Sequence, residues 1–355
     1  MKIITVIGAR PQFIKAAALS RELSKHKGIE EIIIHTGQHF DENMSDVFFE
    51  QMDIPKPKFN LNINGLTHGA MTGQMLEKIE KILIQEAPDI VVVYGDTNST
   101  LAGALAAKKL HIKIAHIEAG LRSFNMDMPE EINRILTDRI SDILFCPTQQ
   151  AINNLINEGF IGFNNYFVNC GDIMQDAALF YADKAISPLN FQHQKFILTT
   201  IHRAENTDDA NRLQNIFESL DNIAKSIPMV IPLHPRTKIK LESMDHPFIS
   251  KNITFMEPVG YFEMIWLLKN CELVMTDSGG LQKEAYFFKK PCITLRDETE
   301  WIELIENKFN ILTGSNPTKI IEASKQFLGS RPTFNVELYG DGKTAQKIVK
   351  IISNL

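Results

Sequence analysis

Carboxylates and histidines gather in this chain at the C-terminal ends of predicted strands: Asp96 in YGDT, Glu118 in HIEAG, Glu130 in MPEEINR, His202 in TIHRAEN and His234 in PLHPRT. In open α/β sheets that edge is where ligands bind, so the shared position carries more weight than the residue types. Each also has a structural reading. Asp96 suits the cap of a helix over 97–109, and Glu130 suits an i,i+4 partner for Arg134. Asp142, in a turn, and Glu50, on a helix face, are better explained in that way.

Anion chemistry stands beside these carboxylates. Gly8 to Lys15 (GARPQFIK) joins the first strand to a helix, with Pro11 in the favoured first turn. A helix N-terminus is already partly positive, so Arg10 and Lys15 there are at odds with it unless an anion binds or surface carboxylates draw both away. Met275 to Gly280 (MTDSGG) closes an apolar strand and opens a helix at Leu281. Ser278, Gly279 and Gly280 let backbone N–H groups approach a phosphate, and Glu284, one turn on, faces ribose hydroxyls. The same S-G-G is also a common tight turn. Three carboxylates, Asp96, Glu118 and Glu130, facing phosphate-binding groups across an interdomain cleft call for proton transfer on a substrate with a phosphate leaving group. Such a site should partly desolvate at least one of the three, to raise its basicity.

The elements that must position these groups alternate. KIITVIG, EEIIIHTG, DIVVVYGD, KIAHIEAG, DILFCPT and YFVNCGD are each followed by a turn and usually an amphipathic stretch. KFILTTIH, MVIPLHP, ITFMEP, ELVMTDSGG, PCITLRD and FNILTG repeat the pattern in the second half. That is the signature of β-α units, and it predicts two mostly parallel, doubly wound α/β sheets in two Rossmann-like domains. ISPLNFQHQ, from Ile186 to Gln194, lacks helical period and reads as the linker. The expected division is 1–188, 189–340 and a last helical segment, 341–355, that packs back across the linker. No G-x-G-x-x-G follows a strand, so no NAD fingerprint is present. Gly340-Asp341-Gly342-Lys343-Thr344 imitates the end of a P-loop, but Glu337 holds the place of its first glycine and no apolar strand leads into it.

Composition bounds the partners. In 355 residues, 44% hydrophobic and 23% charged, 37 Lys and Arg face 43 Asp and Glu for a net charge of -6. No basic excess exists to hold a nucleic acid non-specifically. Cys146, Cys170, Cys271 and Cys292 are too far apart for a legible zinc or disulfide pattern and are expected as buried thiols. No metal ligand set is read. Neither a signal segment nor a membrane-length apolar run is found, and the expected location is the cytoplasm.

Taken as an ordered set, GARPQFIKAA, HTGQHFDENM, YGDTNSTLAG, HIEAGLRSFN, MPEEINRILTDRISD, CPT, HRAENT, LHPRT, EPVGYFEM, TDSGGLQKEA and RDETEW resemble the non-hydrolysing UDP-N-acetylglucosamine 2-epimerases over essentially the whole chain. The resemblance implies a GT-B-like architecture with the active site between two Rossmann-like domains, and a homodimer. It implies inversion at C2 of a UDP-2-acetamido sugar without NAD or another cofactor, through UDP elimination to an enzyme-bound 2-acetamidoglucal and re-addition. Asp96, Glu118 and Glu130 then match the proton-transfer carboxylates, and His202 the active-site histidine. Arg10, Lys15, Ser278, Gly279, Gly280 and Glu284 match the UDP-binding set, with Tyr261 in the base-contacting loop (Pro258 to Phe262) and Arg296 also on the substrate. The chain departs from the commonest G-T-R-P-E at Ala9 and Gln12 and carries Trp301 after D-x-T-E. In this it resembles a subgroup acting on UDP-2,3-diacetamido-2,3-dideoxy-glucuronic acid for bacterial surface polysaccharides. Many members use a second substrate molecule as activator, near the matches to Gln38, His39 and His234. A glycosyltransferase of the same architecture would share Ser278 to Gly280 and Glu284, a UDP-sugar sensor would bind without exchange at C2, and a hydrolysing epimerase would release free sugar.

Overall fold

The computed structural model describes residues 1–38, 52, 54–189, 191–242 and 250–355. Contacts within the chain divide it into two units, 1–177 with 337–355, and 178–336.

In the first unit, β1 (Lys2–Ile7), β2 (Glu30–His35), β3 (Phe59–Asn60), β4 (Ile90–Tyr94), β5 (Lys113–Ile117), β6 (Ile143–Cys146) and β7 (Tyr166–Asn169) form one parallel sheet in the order β3-β2-β1-β4-β5-β6-β7. The central strands are continuous apolar runs because helices cover both of their faces. On one face Ile4, Val6, Ile34, Val91 and Val93 pack with Met75 and Ile79 of α2 (His68–Glu86). Strand order reverses between β1 and β4, which opens a crevice at their C-terminal ends. α1 (Arg10–Leu23) and α3 (Asn98–Lys109) start from those two ends. Thr97, not Asp96, caps α3: its hydroxyl accepts from Thr100 N at 3.2 Å. α4 (Pro129–Ile140), α5 (Gln149–Asn157) and α6 (Ile173–Tyr181) complete the run to the boundary.

The second unit repeats the plan. β8 (Ile197–Thr200), β9 (Met229–Pro232), β10 (Ile253–Met256), β11 (Leu273–Thr276), β12 (Cys292–Thr294) and β13 (Asn310–Leu312) are parallel in the order β10-β9-β8-β11-β12-β13, with the reversal between β8 and β11. Its helices are α7 (Ala204–Thr207), α8 (Ala210–Ala224), α9 (Pro235–Glu242), α10 (Tyr261–Asn270), α11 (Gly279–Phe287), α12 (Ile302–Glu306) and α13 (Pro317–Gly329). Both sheets therefore have the doubly wound order expected from the alternation of apolar runs.

The division of the chain falls inside α6, upstream of the expected 188/189. Residues 186–189 and 191–194 are built into the second unit: Phe191 packs edge-on against Phe196 and Trp266, each at 5.0 Å, and His193 bonds Thr254 at 2.9 Å. Lack of helical period there marks irregular chain, not free chain. The last helix, α14 (Thr344–Ile352), belongs to the first unit and packs on α1, with Asp176 accepting from Ala345 N at 2.8 Å. Gly340, in the P-loop-like stretch, lies at φ 94° against the backbone of Gly171, so that sequence closes a fold contact. All four cysteines are free and buried.

Candidate functional site

Two catalytic candidates lie side by side at the first switch point. β4 and β5 pair Tyr94 with Ile117, so Gly95-Asp96 and Glu118 leave neighbouring strand ends. Gly95 takes φ 62°, and a Cβ there would stand 3.3 Å from the Glu118 carboxylate. Glu118 itself is left-handed at φ 71°, a rare state for a non-glycine residue that marks a held conformation. Its carboxylate forms an ion pair with Lys15 from α1, and both side chains are about nine-tenths buried. Lys15, expected on phosphate, is thus tied to a proton-transfer candidate. The Asp96 carboxylate, 30% exposed, accepts from Arg134 Nη2 at 2.5 Å, and its carbonyl accepts from Asn133 at 2.9 Å.

On α4, Glu130 does not take the i,i+4 partner that its structural reading gave it. Arg134 pairs with Asp96 and, at 3.1 Å, with Glu131, so Glu130 is not its partner. Glu131 is buried and accepts from Ser123 N and Oγ and Phe124 N, a structural role. Glu130 is exposed in the first turn. Arg10, half-buried, begins α1. Gln12 beside it is 2% exposed: Oε1 accepts from Gly8 N and Ala9 N, while Nε2 donates to the Tyr94 carbonyl and the hydroxyls of Thr97 and Thr100. The turns carrying Arg10 and Asp96 are joined through that one amide. Gln38 Oε1 accepts from Ser99 N and Oγ, whereas His39 lies outside the described residues.

In the second unit His202 follows β8 and Ser278 follows β11, paired neighbours through Thr200 and Thr276. Fully buried Asp277 joins them, accepting from His202 N, Arg203 N and Asn206 Nδ2 at 3.0 to 3.1 Å. His202 Nδ1 stands 3.4 Å from the same carboxylate, which favours a hydrogen on Nδ1 and leaves Nε2 as the acceptor. Burial pulls the His202 ring below its ordinary value, Asp277 raises it, and His234 and Arg203 lower it further, so a neutral ring results. His234 is exposed, its ring 6.1 Å away.

Ser278 caps α11, and Trp301 Nε1 donates to the Gly279 carbonyl at 3.0 Å. The Lys283 ammonium sits 4.0 Å over the Trp301 ring, a cation–π contact. A side chain at Gly279 would collide with Glu300, while Gly280 is open, so the turn presents backbone outward. Arg296 is 2% exposed and holds Glu300 at 2.8 Å. It shapes the turn from behind. Burial pushes the Glu300 carboxyl up, but Arg296 and Arg203 outweigh that and leave it lowered. Glu284 lies on α11 at 9% exposure, and Tyr261, 7% exposed at the start of α10, stands edge-on to Tyr181. Asp277 and Arg134 were missed from sequence, although Asp277 directly precedes Ser278 and Arg134 stands one turn after Glu130.

The family model for UDP-N-acetylglucosamine 2-epimerase matches residues 21–353. The UDP-2,3-diacetamido-2,3-dideoxy-D-glucuronate 2-epimerase of Pseudomonas aeruginosa is 56% identical over 357 residues, covering 100% of both chains. Among solved structures, the Methanocaldococcus jannaschii UDP-GlcNAc 2-epimerase in complex with UDP-GlcNAc and UDP is 45% identical with a TM-score of 0.88, covering 100% of both chains. The Neisseria meningitidis UDP-GlcNAc 2-epimerase bound to UDP-GlcNAc is 32% identical with a TM-score of 0.89, again covering 100% of both. The GT-B-like pair of Rossmann-like sheets expected from sequence is the fold of these structures. A family model that matches nearly the whole chain, and identity of this extent to named epimerases, have one meaning: the chain belongs to the UDP-N-acetylglucosamine 2-epimerase family and is an isomerase.

Proposed function

We propose that the chain inverts C2 of a UDP-2-acetamido sugar without hydrolysing it, and that its substrate is UDP-2,3-diacetamido-2,3-dideoxy-D-glucuronate. One observation carries the chemistry: carboxylates at the ends of adjacent strands are each bonded to a cation, Asp96 to Arg134 and Glu118 to Lys15. Binding an anion would not need the carboxylates. The C2 hydrogen is not acidic, so its removal accompanies loss of UDP. The C2–H electron pair becomes the C1–C2 double bond, the C1–O pair leaves with UDP, and the proton passes to a carboxylate. A proton delivered to the other face of C2, with attack of the UDP oxygen on C1, gives the epimer. The sequence is redox-neutral and consumes no water.

In this reading Asp96, Glu118 and Glu130 handle the proton, and Arg10 faces charge developing on the departing phosphate. Ser278, Gly279 and Gly280 take the diphosphate and Glu284 the ribose, with Tyr261 toward the base and Arg296 acting through Glu300. Neutral His202 offers Nε2 to the substrate. The 56% identity to the diacetamido-glucuronate enzyme, against 45% to the UDP-GlcNAc enzyme solved with its ligands, supports the choice of sugar. UDP-N-acetylglucosamine is the second reading. We take the enzyme to work as a homodimer in the cytoplasm on a surface-polysaccharide precursor; among the described residues no helix is long and apolar enough to cross a membrane.

Incubation with each UDP-sugar, followed by NMR, tests the proposal. It expects the 2-epimer of the diacetamido sugar with UDP still attached. Free sugar plus UDP, or conversion of UDP-N-acetylglucosamine alone, contradicts it.

A further inference from the structure

Between the strand ends that carry Asp96 and Glu118 lies a wholly buried histidine that the chemistry above does not use. His116, in β5, has one ring nitrogen, Nδ1, 2.7 Å from Asp138 Oδ1 and the other, Nε2, 2.7 Å from the Gly95 carbonyl oxygen. A carbonyl oxygen only accepts, and so does an ionised carboxylate. Asp138 is also bonded by Gly120 N at 3.1 Å and Arg122 Nη1 at 2.7 Å, and Arg122 continues to Glu158 at 2.6 Å. Apart from the ring, the Arg122 guanidinium and the Gly120 N–H stabilise the charged form of this carboxylate. Asp138 is therefore an acceptor, and two acceptors face one ring.

We infer that His116 is a positioning residue for the epimerisation, carrying hydrogens on both ring nitrogens and fastening the Gly95-Asp96 turn to α4. The inference rests on the proposed function for its catalytic half. Gly95 is the residue before Asp96, and a Cβ on it would stand 3.3 Å from the Glu118 carboxylate and 3.6 Å from the Lys15 ammonium. Glu118 is two residues beyond His116. Glu130, Arg134 and Asp138 follow one i,i+4 row of α4: Arg134 takes the Asp96 carboxylate and Asp138 takes the His116 ring. Asp96 directly, and Glu118 through His116 on its own strand, are thus registered to one helix. The charges facing the ring are Asp138 and, through it, Arg122 and Glu158, with Lys15 and Glu118 beyond Gly95 and the Cys146 thiol near Asp138.

Two measurements test this. Long-range ¹⁵N NMR of the histidine-labelled wild-type chain at pH 7 should show His116 with both nitrogens protonated; a single neutral tautomer overturns the inference. His116→Gln and His116→Asn each keep one donor and lose the other. Their turnover should fall about 10²-fold, the cost of roughly 1 Å of misplacement, with UDP affinity by calorimetry near wild type. Turnover near wild type in either folded variant, or turnover and UDP affinity falling together, contradicts the positioning role. The NMR result stands even where a variant fails to fold. A wild-type chain inactive on both UDP-sugars would defeat the functional reading and leave the ring measurement to be judged separately.

Discussion

Glu118 is held at φ 71° against Lys15, and Gly95 is the residue that leaves room for the pair. A left-handed glutamate costs of order 1–3 kcal/mol, which the surrounding contacts must overcome. The cation keeps the carboxylate close and aimed, which suits a base that must be ready when a weakly acidic carbon presents its proton. His202 gives a pH prediction. Its folded value lies below the ordinary 6.5, so the unfolded chain takes up the proton first as pH falls. The stability it contributes is present in full above about 6.5 and is lost on acidification toward the lower folded value. The melting temperature should therefore fall between pH 6.5 and 5 more steeply in the wild type than in His202→Gln. Parallel slopes would mean that the ring is not held neutral.

At the scale of elements, the Ser278 to Gly280 turn at the start of α11, which we propose takes the diphosphate, depends on the segment after β12. Trp301 bonds the Gly279 carbonyl and lies under Lys283, while Glu300 fills the space beside Gly279. Trp301→Phe keeps a ring and removes one neutral hydrogen bond, a loss of about 1 kcal/mol. UDP affinity should weaken about fivefold by calorimetry, and more in Trp301→Ala, which also loses the cation–π contact. Unchanged affinity in both would remove Trp301 from the nucleotide site. Such clamps explain what the sequence could not reveal. Asp96, Glu118, His202 and Ser278 could be placed at strand ends because each comes within two residues of an apolar strand. Arg134, Asp277 and His116 take their roles from partners on other elements, and no local period announces such a pairing. Gln12 read as a departure from a motif, whereas its amide joins two turns with five hydrogen bonds.

For the whole molecule, two sheets of the same order were legible because parallel strands covered on both faces must be continuous apolar runs. The boundary was less so, since residues 186–194 have loop composition yet pack through Phe191, and α14 returns to the first unit across the length of the chain. The family and the paired carboxylates meet in one claim, that C2 loses its proton to the protein and regains one on the other face. Turnover of the UDP-sugar in deuterium oxide, by wild type and by Asp96→Asn, Glu118→Gln and Glu130→Gln, tests it most directly. The amides keep the side-chain shape and remove the proton function. Product should carry deuterium at C2, and at least two of the three variants should lose about 10²-fold or more in turnover. Product that keeps protium at C2, with all three amide variants near the wild-type rate, would contradict the account.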